Sequence, residues 1–163
     1  MPVGSSNWSF TEDDYGTITR SMDRFLADCG ARCALLVDRA GQLVATVGEQ
    51  PRFDATTVAT LTAADFSAND QLARVLGATE FSSLVHRGER ESMFLADIAG
   101  RIILAVLFDG RTTEGLVRLK ARAALDDLSR RFAELFARAE AVRHDAPVGL
   151  LAGADDEIDR LFP

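Results

Sequence analysis

Several residue types are scarce in this sequence, and each shortage excludes a class of protein. Its two cysteines, Cys29 and Cys33, are too few to build a disulfide framework in a chain of 163 residues. The longest strongly apolar run, at positions 102–108, has seven residues, whereas a membrane-spanning helix needs about twenty. The first ten residues lack the basic and apolar regions of a secretory signal. We therefore expect a cytoplasmic protein whose thiols are reduced.

Positive charge is also in deficit, because 18 basic residues stand against 25 acidic ones. The resulting net charge of −7 would repel a phosphate backbone, so nucleic acid is not an expected partner. Metal ligands are scarce as well, since His86 and His144 are distant from the cysteine pair in sequence. The acidic cluster at 155–159 lacks the glycine and spacing of a calcium loop. The sequence predicts no metal site and no cofactor.

What the sequence does contain is the hydrophobic patterning of one globular domain. Apolar spacings of three and four residues predict helices, and short apolar runs between turn residues predict strands. The predicted helices are 11–27, 55–76 and 116–142, and the predicted strands are 33–38, 42–47, 81–86, 92–98 and 101–109. Short turns between neighbouring strands imply hairpins and therefore an antiparallel five-stranded sheet. We predict an α+β fold in the order α-β-β-α-β-β-β-α, with helices packed on the sheet.

The composition changes at both ends of this domain, which we assign to residues 11–142. Residues 1–10 lack periodicity and are predicted to be flexible, and the prolines and glycines of 143–154 indicate a linker. The last segment, 155–163, is acidic and places Ile158, Leu161 and Phe162 on one face of a short helix. Such a segment gains little by folding alone but fits a groove on a partner. A disordered, solvating tail is the alternative.

The second predicted helix carries two sets of apolar residues. We expect the large ones to face the core and the small ones to form a surface that another helix approaches closely. The large residues are Val58, Leu61, Phe66, Leu72, Val75 and Leu76, and the small ones are Ala59, Ala63, Ala64, Ser67 and Ala68. The alternative is that the alanines only reflect good helix propensity.

The sequence motifs of several common enzyme classes are missing. It contains no G-x-S-x-G, G-x-G-x-x-G, G-x-x-x-x-G-K-[ST] or H-E-x-x-H motif. His86 ends a predicted strand beside Arg87, and a histidine in that position is more often structural than a catalytic base. We therefore expect a protein that is not itself an enzyme.

Five segments of the chain resemble one family. They are LLVDRAGQLVATVG at 35–48, DATTVATLTA at 54–63, VHRGERESMF at 85–94, VLFDGRTTEGLVRL at 106–119 and DDEIDRLF at 155–162. By these segments the chain resembles the roadblock (dynein light chain-like) domain proteins, and within them the bacterial MglB polarity regulators. The first segment is common to many roadblock domains, whereas the last two are more specific.

The resemblance implies that the chain binds both a second copy of itself and a different protein. It implies a homodimer with one continuous sheet, paired through the second helix and the third strand. The implied dimer contacts are Ala59, Phe66, Ala68, Phe81, Ser83 and Val85. It also implies that the dimer accelerates GTP hydrolysis by a small Ras-like GTPase of the MglA type and does so without an arginine finger. The process implied is cell polarity or motility, and the protein is expected to concentrate at a cell pole. The implied GTPase contacts are Thr60, Ala63, Ala64, Ser67 and Gln71 on the second helix and Ile158, Leu161 and Phe162 in the tail.

One stretch departs from the family pattern. MglB relatives usually have L-T-A-G-N on the second helix, whereas this chain has L-T-A-A-D at 61–65 followed by bulkier and more polar residues. The departure favours a second hypothesis, a roadblock dimer that acts as a scaffold or adaptor and activates no GTPase. A small-ligand sensor of the profilin-like or PAS-like kind is a third, because those folds also use five-stranded antiparallel sheets.

Overall fold

The computed structural model describes residues 9–77 and 82–145, and over them it shows three helices and five strands. In chain order the elements are α1 (Glu12–Cys29), β1 (Cys33–Asp38), β2 (Leu43–Gly48), α2 (Ala55–Val75), β3 (Ser83–Arg87), β4 (Glu91–Ile98), β5 (Ile102–Asp109) and α3 (Glu114–Asp145). The predicted α+β class and element order are confirmed. The largest difference is in α3, which begins two residues before the predicted start and extends to Asp145, into the predicted linker.

The five strands form one antiparallel sheet in the order β2-β1-β5-β4-β3. β5 lies at the centre and is buried along most of its length, as expected for a nearly continuous apolar strand covered on both faces. Within the described residues β3 pairs with β4 alone. Among the described strands β3 is therefore an edge strand, with backbone donors and acceptors along its outer side that no other strand pairs.

Helices α1 and α3 cover one face of the sheet and form the larger core. Met22 and Phe25 of α1 pack there with Leu128 and Phe132 of α3. A reciprocal capping box between Thr11 and Asp14 begins α1, and Gly30 ends it at a φ of 70°, where other residues would be strained. Tyr15 has the three-residue spacing from Ile18 that predicts a buried position, but it is 44% exposed.

Helix α2 covers the opposite face above Leu35, Val37 and Ile103. Cys33 lies in this core and Cys29 in the other, so the sheet separates the two free thiols. Burial raises the pKa of both thiols, which leaves neither as a ready nucleophile at neutral pH. None of the helices in the described part of the chain is long and apolar enough to span a membrane.

Candidate partner-binding surface on helix α2 and strand β3

Local hydrogen bonding and close packing determine where α2 begins and how it lies. The carboxylate of Asp54 accepts a hydrogen bond from the Thr56 backbone N–H at 3.2 Å and another from the Thr57 hydroxyl at 2.5 Å. These bonds, that of Thr57 first, hold the pKa of Asp54 below its ordinary value. Farther along, the β1–β2 turn passes directly beneath the helix, where a Cβ on Gly41 would lie 3.2 Å from the Cα of Thr60. The lack of a side chain at Gly41 thus allows α2 to lie close to the sheet.

The face of α2 that contacts the sheet is built mainly from small residues. Its buried residues are Ala59, Thr62, Ala63, Phe66, Asn69 and Ala73. Phe66 is the one large apolar side chain among them and is 1% exposed. The bulk of this core comes from the strands, through residues such as Leu35, Leu95 and Ile103.

The expected buried face of α2 is therefore wrong in most of its residues. Leu61, Leu72 and Val75 are 64%, 58% and 82% exposed, and Leu76 is also exposed. The reason is that the strands already fill the space between the layers, so alanines fit beneath the helix where leucines would not. With Ala68, the residues Leu61, Leu72 and Val75 follow helical spacing along the outside of α2. We call these four residues the apolar stripe.

The residues assigned to the GTPase contact lie mostly on a neighbouring exposed strip of the same helix. Thr60, Ala64, Ser67 and Gln71 are exposed and are spaced by four, three and four residues, so they share one side. We call these four residues the small-residue face. Ala63, the fifth residue of the assignment, is 7% exposed and packs on the sheet. Ile158, Leu161 and Phe162 lie outside the described residues.

The residues assigned to the dimer contact are separated by the fold. Ala59 and Phe66 are buried in the chain's own core, so their side chains could affect a partner only through the position of α2. Ala68 is exposed and belongs to the apolar stripe. Ser83 and Val85 are half-buried on the open edge strand β3, and Phe81 lies outside the described residues.

A hydrogen bond connects the two elements of this surface. Nε2 of His86 in β3 lies 2.5 Å from a carboxylate oxygen of Asp65 in α2. Asp65 follows Leu61 by four residues and precedes Leu72 by seven, so all three lie on the same flank of the helix. The apolar stripe therefore borders β3, whereas the small-residue face lies on the flank away from it.

The other side of β3 carries a second polar cluster. Arg87 donates from Nε to Glu114 at 2.7 Å, and Arg118 bonds the same carboxylate at 3.1 Å. The hydrogen bond from Arg87 is the main reason that the pKa of Glu114 lies below its ordinary value. These paired charges fix the end of β3 between the two helical layers, and they leave Ser83–Val85 as the less polar part of the edge.

This surface is suited to binding a protein and offers little for covalent chemistry. Its side chains are small, apolar or engaged in ion pairs, and among the described residues no three His, Cys, Asp or Glu side chains are grouped to hold a metal. A shallow polar groove between α1 and α3 has a volume of about 170 Å³, below the roughly 300 Å³ at which ligand pockets begin.

Sequence analysis identified Leu61, Leu72 and Val75 as apolar but assigned them to the core, so it missed the apolar stripe as an exposed surface. Its signal was present in the spacing of seven, four and three residues from Leu61 to Val75, which is the pattern of a helix-pairing seam. Alanine and phenylalanine on the opposite side follow an equally regular spacing. The sequence therefore shows two possible seams without indicating which is buried.

Comparison with known proteins finds relatives that are roadblock domains or MglB proteins. A family model described as the Roadblock/LC7 domain matches residues 19–108. Myxococcus xanthus MglB is 36% identical over 74% of this chain and 98% of its own, with a TM-score of 0.71. The gliding protein MglB from Thermus thermophilus is 29% identical over 80% of this chain and 99% of its own, with a TM-score of 0.74. A Roadblock/LC7 domain from Streptomyces avermitilis, at 14% identity over 71% of this chain and 97% of its own and a TM-score of 0.64, shares the fold alone. No curated protein sequence is significantly similar to the chain.

Proposed function

The chain belongs to the Roadblock/LC7 family, as a protein of the MglB type, and from that premise we propose that it regulates a small Ras-like GTPase of the MglA type. The observation that carries the proposal is the exposed outer side of α2, where an apolar stripe and a small-residue face lie side by side next to an open strand edge. Several large apolar side chains exposed along one side of a helix are more typical of a protein contact than of a surface that faces solvent. The apolar stripe and the small-residue face can each bind a different partner.

We assign the apolar stripe to a second copy of the chain. Pairing two β3 edges about a two-fold axis would bring the flank of α2 that borders β3 toward its twin, and that flank carries Leu61 and Leu72. Each large apolar side chain buried there contributes roughly 1.5–3 kcal/mol, and symmetry doubles every contact. The twin would also satisfy the open backbone groups of β3.

We assign the small-residue face to the GTPase. Its side chains are short, which permits close approach of a partner's backbone, and it remains accessible when the apolar stripe is covered. The regulator would act by binding the hydrolysis-competent conformation of the GTPase more tightly than the resting one, which lowers the barrier without a catalytic group of its own. No arginine finger is part of this proposal, because the side chains of the small-residue face are uncharged.

The wider role follows from the same relatives. The Thermus thermophilus protein is named as a gliding protein, and the resemblance to MglB implies polarity or motility. We propose that this protein acts in the cytoplasm, with its GTPase, and concentrates at a cell pole.

The deciding experiment is single-turnover GTP hydrolysis by an MglA-type GTPase from the same cell, with and without an excess of this protein. We expect a large acceleration, even if it falls short of the roughly 10³–10⁵ that an arginine finger gives. An active GTPase whose rate is unchanged by the folded dimer would contradict the proposal.

The scaffold or adaptor remains the second candidate. Asp65 stands at the position where MglB relatives usually have asparagine, and its side chain is engaged by His86. An adaptor would bind the GTPase without changing its rate, or would dimerise without binding it. A binding titration beside the hydrolysis assay separates these outcomes.

A further inference from the structure

Two arginines in neighbouring turns hold the two helical layers by the same arrangement. Arg39 lies in the turn after β1, and Arg101 lies in the turn before β5. The turns are joined directly, because the backbone N–H of Arg39 donates to the carbonyl oxygen of Arg101 at 3.1 Å. Their side chains reach opposite faces of the sheet, one toward α2 and the other toward α3.

Each guanidinium engages an aromatic ring and a carboxylate that are four residues apart on its helix. The guanidinium carbon of Arg39 lies 4.7 Å from the centre of the Phe66 ring, and Nη1 donates to Asp70 at 2.7 Å. The guanidinium carbon of Arg101 lies 4.7 Å from the centre of the Phe136 ring, and Nη2 donates to Glu140 at 3.0 Å. Residues at this spacing share one helix face, so one planar cation contacts both.

The two helices depend on their arginines to different degrees. α3 has many large anchors in the core, among them Leu128, Phe132 and Leu135. α2 has Phe66 alone, with alanines around it. Arg39 lies over that one ring, and it also pairs with Asp97 of β4, whose carboxylate accepts from the Gly100 N–H at 2.9 Å. It thereby connects Phe66, the one large side chain that α2 buries, to the end of the sheet where β4 turns into β5.

The position of Asp70 links this contact to the partner surface. Asp70 follows Ser67 by three residues, and Gln71 is its neighbour, so Arg39 holds the flank of α2 that carries the small-residue face. The other flank is held by the pair of Asp65 and His86. The height and rotation of the exposed side of α2 are thus fixed at two points, one on each flank.

We propose that Arg39 is a positioning residue for partner binding, which sets the placement of α2 on the sheet and through it the geometry of the small-residue face. The link to the GTPase rests on the proposed function, whereas the placement of α2 does not. Arg101 makes the equivalent ring and helix-carboxylate contacts on the other face, without the strand carboxylate that Arg39 also engages, and it provides the control.

The first test is amide hydrogen exchange of the free, full-length protein carrying Arg39→Met or Arg101→Met. Methionine keeps an unbranched apolar stem and removes the charge and the donors. In Arg39→Met we expect amides of α2 from Phe66 to Val75 to exchange about tenfold faster, while α1 and α3 stay unchanged. In Arg101→Met the same α2 amides should exchange at the wild-type rate. Equal exchange of α2 in Arg39→Met and wild type would overturn the proposal, as would equal acceleration in all helices.

The second test is binding of the GTPase, with Asp70→Asn added because it removes the α2 carboxylate that pairs with Arg39 and leaves Arg39 with Phe66 and Asp97. We expect both Arg39→Met and Asp70→Asn to weaken binding about tenfold or more. Wild-type affinity in a variant whose α2 exchanges faster would overturn the positioning role. If the GTPase fails to bind even the wild type, the proposed function fails, while the exchange data still decide the placement of α2.

Discussion

Ala64 lies in the middle of the exposed side of α2, within the small-residue face and beside Leu61 of the apolar stripe. An exposed helical alanine tolerates arginine in the isolated fold, because arginine has good helix propensity and its charge stays in water. A closely approaching partner backbone, however, leaves no room for the longer side chain. We expect Ala64→Arg to keep the thermal unfolding midpoint and to abolish GTPase binding in a titration.

Ala123→Arg is the matched control for that substitution. Ala123 is likewise exposed on a long helix, but on α3, on the opposite side of the sheet. It should leave GTPase affinity unchanged. If Ala64→Arg also binds with wild-type affinity, the contact lies elsewhere on the molecule.

Arg111 belongs to an ion-pair cluster at the end of the sheet that is remote from Arg39. It pairs with Glu49 at 2.8 Å and with Asp109 at 3.0 Å. Its hydrogen bonds are the main reason that the pKa of both carboxyl groups lies below the ordinary range, with Arg32 adding to the effect. Because both pKa values are lower in the folded state, the unfolded chain binds more protons as the pH falls. These pairs therefore stabilise the fold above the unfolded-state values near 4 and lose that contribution as the pH falls through the folded ones.

We accordingly expect Arg111→Met to begin acid unfolding at higher pH than the wild type, by about half a unit. Circular dichroism during an acid titration measures the shift. At a pH below the folded-state and unfolded-state pKa values of both carboxyl groups, the loss of these pairs should no longer make a difference to the stability of the two proteins. Arg52→Met removes the same charge from the exposed loop before α2 and should leave the midpoint in place. An unchanged midpoint in Arg111→Met would mean that solvent screens these pairs completely.

At the scale of the element, α2 shows what sequence can and cannot predict. The periodicity of its apolar residues predicts a helix over 55–76, and the structure has it at Ala55–Val75, capped by Asp54. The buried side was predicted wrongly, since Leu61 and Leu72 are exposed while Ala59 and Ala63 are buried. Burial depends on the space between two layers, and the size of one helix's own side chains does not reveal that space.

The exposure of Leu72 leads to a prediction about the dimer. If the apolar stripe forms the contact with a second copy of the chain, Leu72→Glu places a charge at a contact that occurs twice by symmetry. We expect the dimer dissociation constant to rise by about 100-fold or more, with little change in the stability of the monomer. Light scattering across a micromolar concentration series measures the change.

Leu119→Glu is the control because Leu119 is 60% exposed on α3, close to the 58% of Leu72. It should dimerise as the wild type does. If the two variants dimerise equally well, the apolar stripe is not the twin contact. Loss of the dimer in Leu119→Glu alone would move that contact to the α3 side.

At the scale of the whole molecule, the order of elements was predictable and the contacts between layers were not. Turn residues and apolar runs give five strands and three helices because both signals are local. The pairs of Arg39 with Asp70 and of His86 with Asp65 join residues 31 and 21 positions apart. Such pairs exist only once α2 is placed on the sheet. The position of the partner surface depends on those same contacts, so it could not be predicted from the sequence either.

The tail yields the last prediction, which tests the proposed regulation of a GTPase at the scale of the whole molecule. A chain ending at Ala154 should keep its fold, because it retains every helix and strand in the described part of the chain. Burial of Leu161 and Phe162 on a partner contributes roughly 1.5–3 kcal/mol each, and ordering the segment offsets much of that gain. We therefore expect the shortened chain to bind the GTPase about tenfold more weakly and, at saturation, to accelerate hydrolysis as the full chain does.

The double substitution Asp155→Asn and Asp156→Asn keeps the apolar residues and should retain most of the affinity. Equal affinity of the shortened and full chains would assign all of the binding to α2, whereas loss of acceleration at saturation would mean that the tail takes part in activation itself.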